Sequence, residues 1–415
     1  MKTQSTLDDE EGIEPSHSKI LKTVFAQKLP SNVWFLGFVS LLTDVNSKMV
    51  QSILPLFLVS VLGINLTTIG VIEGIAESTA SVIKIFSGAL SDHWGRRKEL
   101  AVAGYGLSAL VTPLFAIATT PAWVLFARFT DRIGKGIRVA PRNALVADVT
   151  PSSQRGAAYG LRQSLDTIGA FCGPFIATAL LFHSNQNFRL VFWCAAIPGL
   201  MAVAILIFCV KENPRNSHQR RNPLQWNVLK SLGKNYWMLV AVALLFNLGN
   251  FSDAFLLLRA QQVGIPLSLI PLSFVVMNIT YGLSSYPIGV LSDRIGRQGL
   301  LISGFILFAL VYFGFGVAQT PWQIWVLFAL CGLYLGTTKG LLPALVADRV
   351  SEELRGTAFG LINLITGVAL LPASLLAGVL WEKFGSQTTF MVSSGFAVAA
   401  IVVLSTSTQK IHQSR

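Results

Sequence analysis

The segment Ala144-Leu-Val-Ala-Asp148 returns 200 residues later as Ala344-Leu-Val-Ala-Asp348. Each copy is followed, seven residues after its aspartate, by Arg-Gly, at Arg155-Gly156 and Arg355-Gly356. Upstream, Gly88-Ala-Leu-Ser-Asp92-His-Trp-Gly95-Arg96-Arg97 is matched by Gly289-Val-Leu-Ser-Asp293-Arg-Ile-Gly296-Arg297-Gln298 at an offset of 201. The chain is therefore two versions of one unit in tandem. A period of this length constrains the fold more than any single motif does.

The unit is too apolar for a soluble globule. Of the 415 residues, 52% are hydrophobic and 13% charged, against about 25% charged in ordinary domains. Ala101–Ala118, Val191–Val210 and Leu300–Ala318 carry no charge, and each approaches the ~20 residues that cross a bilayer core. Long apolar runs predict twelve helical spans near 33–61, 66–91, 99–118, 121–147, 156–182, 188–211, 236–261, 266–291, 299–318, 321–347, 356–381 and 386–406. Paired in-tandem halves in a membrane chain point to a transporter with its site between them.

The net charge of +12 does not point to nucleic acid. Arg96, Arg97, Lys98, Lys211, Arg215, Arg220, Arg221, Lys230, Lys234, Arg294, Arg297, Arg349 and Arg355 fall in alternate connections. That is the positive-inside pattern, which predicts both termini in the cytoplasm. Residues 1–32 lack a signal-peptide core. Ile20, Leu21, Val24, Phe25 and Leu29 beside Lys19, Lys22 and Lys28 fit either a helix on the inner membrane face or a free tail. The basic stretch 212–235 is a cytoplasmic linker between bundles at 33–211 and 236–406, and 407–415 is a cytoplasmic tail. Cys172, Cys194, Cys209 and Cys331 lie singly in apolar spans and imply neither a disulfide nor zinc. The five histidines lie in tails, loops or span ends, and no metal or cofactor site is expected. Gly104-Tyr-Gly106 lies in a charge-free span with no strand before it, and Gly134-Lys135-Gly136 lacks the spacing and the Ser/Thr of a phosphate loop.

Charges inside the membrane are costly and face a cavity or a partner. Spans 3, 6, 9 and 12 have none. Span 1 has Asp44 and Lys48, span 2 Glu73, Glu77 and Lys84, and span 5 Arg162 and Asp166. On span 4, Arg128, Asp131, Arg132, Lys135, Arg138 and Arg142 fall within an arc of about 120°. This period of three helices predicts a 3+3+3+3 bundle with every third helix toward lipid. The first-half interior holds eight bases and five acids. The surplus can attract an anionic solute, or Lys84, Arg138 and Arg142 can be solvated at the cytoplasmic ends.

These motifs resemble the major facilitator superfamily over nearly the whole chain. Gly88, Leu90, Asp92, Gly95, Arg96 and Arg97 match its loop signature after span 2. Gly289, Leu291, Asp293, Gly296 and Arg297 match it again, with Gln298 departing. The resemblance implies an all-α, twelve-helix protein in two pseudo-symmetric six-helix bundles, not an enzyme. In the loop, Gly88 and Gly289 would allow close helix approach, and Gly95 and Gly296 a tight turn. Asp92 and Asp293 would sit at the N-termini of spans 11 and 5 in the opposite half, latching the cytoplasmic side.

Arg132-x-x-Lys135-Gly136 resembles the family's fourth-helix motif, whose arginine is linked to proton transfer; Lys135 departs from it. Gly160, Gly169 and Gly173-Pro174 on span 5 resemble its antiporter motif, with Ala177 and Thr178 departing. Packing of this helix on its pseudo-symmetric neighbour would seal the outer side.

The expected function is secondary active transport, with proton-coupled efflux of a small organic solute across the inner membrane by a monomeric antiporter. The alternatives are proton symport of an organic anion such as a carboxylate or siderophore, and a non-transporting receptor. Candidate proton carriers are Asp44, Glu73, Glu77, Asp131 and Asp166, unless the carboxylates are tied to Lys48, Arg128 or Arg132, and Asp166 to Arg162. Candidate solute contacts are Arg128, Arg132, Lys135, Arg138 and Arg162 in the first half and Asn247, Asn250, Asp253, Asn278, Tyr281 and Lys339 in the second. The copies differ most where Arg132 to Arg138 align with Gly332 to Thr338, so the charge chemistry is expected in the first half.

Overall fold

The computed structural model describes residues 29–94, 96–151, 154–212, 232–351 and 354–413. The expected surface helix (apart from Leu29), most of the linker and Gly95 lie outside them. So do the side chains of Asp92, Asp293 and Arg355, and with them the expected cytoplasmic latch. The described chain is helical: α1 (Ser31–Ser60), α2 (Leu66–Trp94), α3 (Arg97–Ile117), α4 (Pro121–Asp148), α5 (Arg155–His183), α6 (Phe188–Phe208), α7 (Lys234–Gly249), α8 (Ala254–Gln262), α9 (Leu272–Ile295), α10 (Arg297–Val317), α11 (Pro321–Thr338), α12 (Leu341–Arg349) and α13 (Arg355–Gln413). Helix α13 turns at Gly385, whose φ of 85° is left-handed and suits glycine. Gly296, between α9 and α10, has φ of 94° for the same reason.

Eight helical stretches among the described residues are long and apolar enough to cross a membrane, counting α7–α8, α11–α12 and the whole of α13 once each. Helices α1, α2 and α4, at 30, 29 and 28 residues, match them in length. What sets them apart is charge: Asp44 and Lys48, the Glu73–Glu77 pair, and the six charges of α4.

Two expected continuous spans are broken. Span 7 divides at Asn250–Asp253, and span 10 at Lys339–Gly340. The first break has no proline. At the second, Pro343 stands in the first turn of α12, four residues after Lys339, where it removes the N–H that would bond the Lys339 carbonyl; Pro55, Pro113, Pro141, Pro174, Pro198, Pro287 and Pro372 sit inside unbroken helix. At the second break, the hydroxyls of Thr337 and Thr338 both donate to the Tyr334 carbonyl, at 2.7 and 2.9 Å. Such back-bonding competes with the helical ladder.

Helices of residues 31–208 pack mainly on one another, as do those of 234–413; α2 with α13, α5 with α9 and α1 with α8 cross between the halves. The halves close at the end distal to the termini, where Ser60, Leu66 and Glu382 lie. Cross-half hydrogen bonds among the described residues run from that end to mid-helix at Ser78. Toward the proximal end, α2 exposes Phe86 and Leu90, and α9 exposes Leu283, Tyr286 and Val290. Aromatic rings fill the second-half core: Phe246 stacks on Phe305 at 4.4 Å and Phe308 on Tyr312 at 3.9 Å.

Close helix approach is built by glycine, though not everywhere expected. Cβ atoms added at Gly169 and Gly173 would meet the Leu41 and Val45 carbonyls at 2.5 and 2.8 Å. This face of α5 therefore packs on α1 of its own half; α5 meets α9, the second-half counterpart of α2, at Thr167 and Gly282. Pro174 is buried within α5. Gly160 and Gly289 face open space, and Gly88 makes only ordinary contact with Ala140, so close approach is not their role here.

Candidate functional site

Helices α2 and α4 run parallel, and each carries two charges one turn apart on one face. Their register sets Glu73 against Arg128 and Glu77 against Arg132. The first pair is bidentate: Arg128 Nε donates to Oε1 at 3.1 Å and Nη2 to Oε2 at 2.9 Å. Its side chains are 2% and 4% exposed. In the second, Arg132 Nη2 lies 2.8 Å from Glu77 Oε1, with Asp131 3.9 Å from Nε. A buried charge without such a partner is strongly destabilising. Two of the expected proton carriers are thus held by arginine, and Asp166 is tied to Arg162 one turn away on α5.

Arg138 turns out of the interface altogether. It is buried, donates to Ser108 Oγ at 2.5 Å and lies 4.9 Å from the Tyr105 ring, which sets it between α3 and α4. Solvation at the helix end does not describe it. Arg142 reaches Ser40 and Asn143.

A second group has no direct ion partner among the described residues: Asp44, Lys48, Lys135, Asp253 and Lys339. Lys48 Nζ donates to Gln51 Oε1 at 2.9 Å and stands 5.9 Å from the Phe274 ring of the other half. Lys339 Nζ lies 5.0 Å from the Tyr281 ring. Phe274, Asn278 and Tyr281 follow one another at four and three residues, so they share a face of α9. Asn278 and Asn247 each donate back to their own helix, to Phe274 and Ala243. The cations acting most strongly on Asp253 are Lys48 and Lys339; those on Asp44 are Lys48 and Lys135.

The break in span 7 sets Asp253 there. Main-chain groups freed by a broken helix need partners, and serines of α13 supply them. Ser252 N–H donates to Ser374 Oγ at 3.2 Å, and Ser393 Oγ donates to the Gly249 carbonyl. Asn250 Oδ1 accepts from Tyr312 at 3.3 Å. Ser252 Oγ accepts from the Ala254 N–H and donates to Glu73 Oε2 at 3.2 Å, joining the break to the buried pair of the other half. Ser252 and Ser374 escaped the sequence reading; the run Asn-Phe-Ser-Asp, rich in side chains that bond local backbone, was the available signal.

The repeated motifs meet each other. Arg97 pairs with Asp148, and Arg297 pairs with Asp348 at 2.7 Å, the same 51-residue separation in each half. The loop arginine thus braces the end of the Ala-Leu-Val-Ala-Asp segment within its own half. Arg96 instead reaches Glu99 at the surface.

Charged groups gathered between two like halves of a helical membrane chain define a carrier of small solutes. The chain belongs to the Major Facilitator Superfamily, whose model matches residues 36–277 and 254–412. It is a multi-pass membrane transporter and not an enzyme. It is 33% identical over 389 residues to an uncharacterized MFS-type transporter of Methanocaldococcus jannaschii, covering 91% of this chain and 95% of that one. It is also similar to the multidrug resistance protein MdtG of Escherichia coli (strain 55989 / EAEC), at 25% identity over 85% of this chain and 88% of MdtG. Among solved structures, the nucleoside transporter NupG superposes with a TM-score of 0.72 at 15% identity, over 91% of this chain and 99% of that one. This last likeness is one of fold.

Proposed function

We propose that the protein is a proton-coupled secondary transporter that exports a small organic solute by alternating access, from twelve spans in two six-helix bundles with both termini cytoplasmic. The carrying observation is the pair Asp44 and Asp253. They come from opposite halves, lie near the same lysine and have no direct ion partner among the described residues, whereas Glu73, Glu77 and Asp166 are held by arginine. A carboxylate without a fixed cation can take up a proton without stranding a buried arginine. Export is supported by the likeness to MdtG. Each proton crossing 100 mV supplies about 2.3 kcal/mol, enough for roughly 50-fold accumulation.

The test is solute flux in liposomes under an imposed pH gradient, with pooled organic cations and anions. Asp44→Asn and Asp253→Asn should each abolish gradient-driven flux while the protein remains monodisperse. Flux that keeps its pH dependence in both variants would refute the assignment. Proton symport of an organic anion is the second reading, favoured by Lys48, Lys135 and Lys339 having no direct carboxylate partner among the described residues. It predicts anion uptake in the direction of the proton gradient, where export predicts movement against it.

A further inference from the structure

Helix α2 begins at the distal end, and its N-terminus is capped from two places. Asn65, in its own half, takes the Thr68 N–H at 2.9 Å. Glu382, from α13 of the other half, takes the Thr67 N–H at 3.2 Å and the Thr67 hydroxyl at 2.6 Å, both on Oε2. An N-terminal N–H has no partner within its helix, so Thr67 here depends on the opposite half. Two turns along α2, Glu73 accepts from Ser252, which stands before the first turn of α8. Each half thus lends one carboxylate to a hydroxyl at a helix start in the other.

Between the two points the backbones of α2 and α13 touch. A Cβ on Gly378 would lie 2.5 Å from the Leu66 carbonyl, and one on Gly74 2.9 Å from Leu371. Gly70 packs equally closely on the Ser374 carbonyl. Shape brings the helices together; Glu382 marks the rim end of the contact, and past Glu73 it continues to Ser78, whose hydroxyl donates to the Gly367 carbonyl at 3.0 Å. Neither strands a charge on separation: Glu382 is fully exposed to water, and Glu73 keeps Arg128.

We propose that α2 is held on the second half by this reciprocal two-point clasp, Glu382 on Thr67 at the rim and Ser252 on Glu73 at the centre, and that its release opens the distal side. The inference rests on the alternating-access reading, and it adds a role for Thr67, Ser252 and Glu382.

The experiment needs no solute. Cys172, Cys194, Cys209 and Cys331 are replaced by alanine and Leu371→Cys is introduced, at the position of α13 whose main chain meets Gly74. Its labelling by a membrane-impermeant maleimide is then followed from each side of the membrane. Ser252→Ala should raise distal-side labelling about tenfold, the worth of a hydrogen bond to a charged group. Glu382→Ala should raise it about two- to fivefold, as for loss of a cap. Glu382→Gln, which keeps an acceptor oxygen, should fall between Glu382→Ala and the parent, and the two sites should act multiplicatively. Unchanged labelling in both Ser252→Ala and Glu382→Ala, in protein that stays monodisperse, overturns the clasp. A rise seen only with reagent on the side of the termini also overturns the clasp, whereas a rise from the distal side in protein that carries no solute supports the clasp and overturns the transport reading.

Discussion

Helix α4 and the α11–α12 pair occupy corresponding places in the two repeats, yet they handle charge in opposite ways. α4 is unbroken for 28 residues and buries Arg128, Arg132 and Arg138 by lateral contacts to α2 and α3. Its counterpart has Phe328, Gly332 and Thr338 at those positions, breaks after Thr338, and exposes Lys339 at the break. A continuous helix keeps charges by fixing them to neighbours. A broken one offers a charge and free main chain to whatever enters the site. Fixed pairs make a wall, while unfixed groups make a binding surface.

The largest expected effect breaks the fixed pairs. Arg128→Ala should destabilise the protein by about 3–5 kcal/mol, because Glu73 is left as an orphan charge. Adding Glu73→Gln should recover much of the loss in thermal melting. Equal melting of single and double variants would contradict lateral pairing as the reason α4 stays intact.

The complementary change closes the break. Gly340 has φ of −89° and ψ of −35°, and a Cβ there would meet nothing within 4 Å. Gly340→Ala should therefore raise stability by about 1 kcal/mol while lowering the transport rate. A rate unchanged by this substitution would mean that flexibility at Lys339 is idle. Where the halves agree, effects should be small and equal: Asp148→Asn and Asp348→Asn should each cost under about 1 kcal/mol and lose their effect in high salt.

The smallest effect concerns acid on the rim. Hydrogen bonds from Thr67, with Lys383 beside it as the lesser cause, hold the Glu382 carboxyl below its ordinary value of 4.5. A depressed value makes the clasp fully present above the ordinary range and lost only as pH falls through the lowered one. Labelling of Leu371→Cys falls with the thiolate fraction as pH drops, so it is taken relative to the same cysteine in Glu382→Ala at each pH; that ratio should be flat from pH 7 to 5 and rise toward one only below about 4.5. A rise between pH 7 and 6 would point to a group other than Glu382.

Much of this was legible beforehand. The repeat, the helical class and the charged stripe of α4 follow from spacing alone, and the one-turn steps Glu73–Glu77 and Arg128–Arg132 already invited pairing across α2 and α4. Neither break was read from the sequence: the first has no proline, and Pro343 beside the second is one of many prolines in helices, most of them unbroken. The deciding groups were hydroxyls and amides, Thr337, Thr338, Asn250 and Ser252, whose preference for local backbone emerges only when tertiary partners such as Ser374 and Ser393 are in place. Small residues misled for a related reason. Gly169 and Gly173 announce a close approach, but sequence cannot say to which helix.

The twin arginine–aspartate braces carry a mechanical consequence. Each ties the entry of a third helix to the exit of a fourth, so that corner of each half resists shear. A lever must be stiff for motion at one end to be felt at the other. With both arms stiffened alike, displacement is concentrated at the seam, and the two broken helices beside it become the compliant elements that set how far the arms swing.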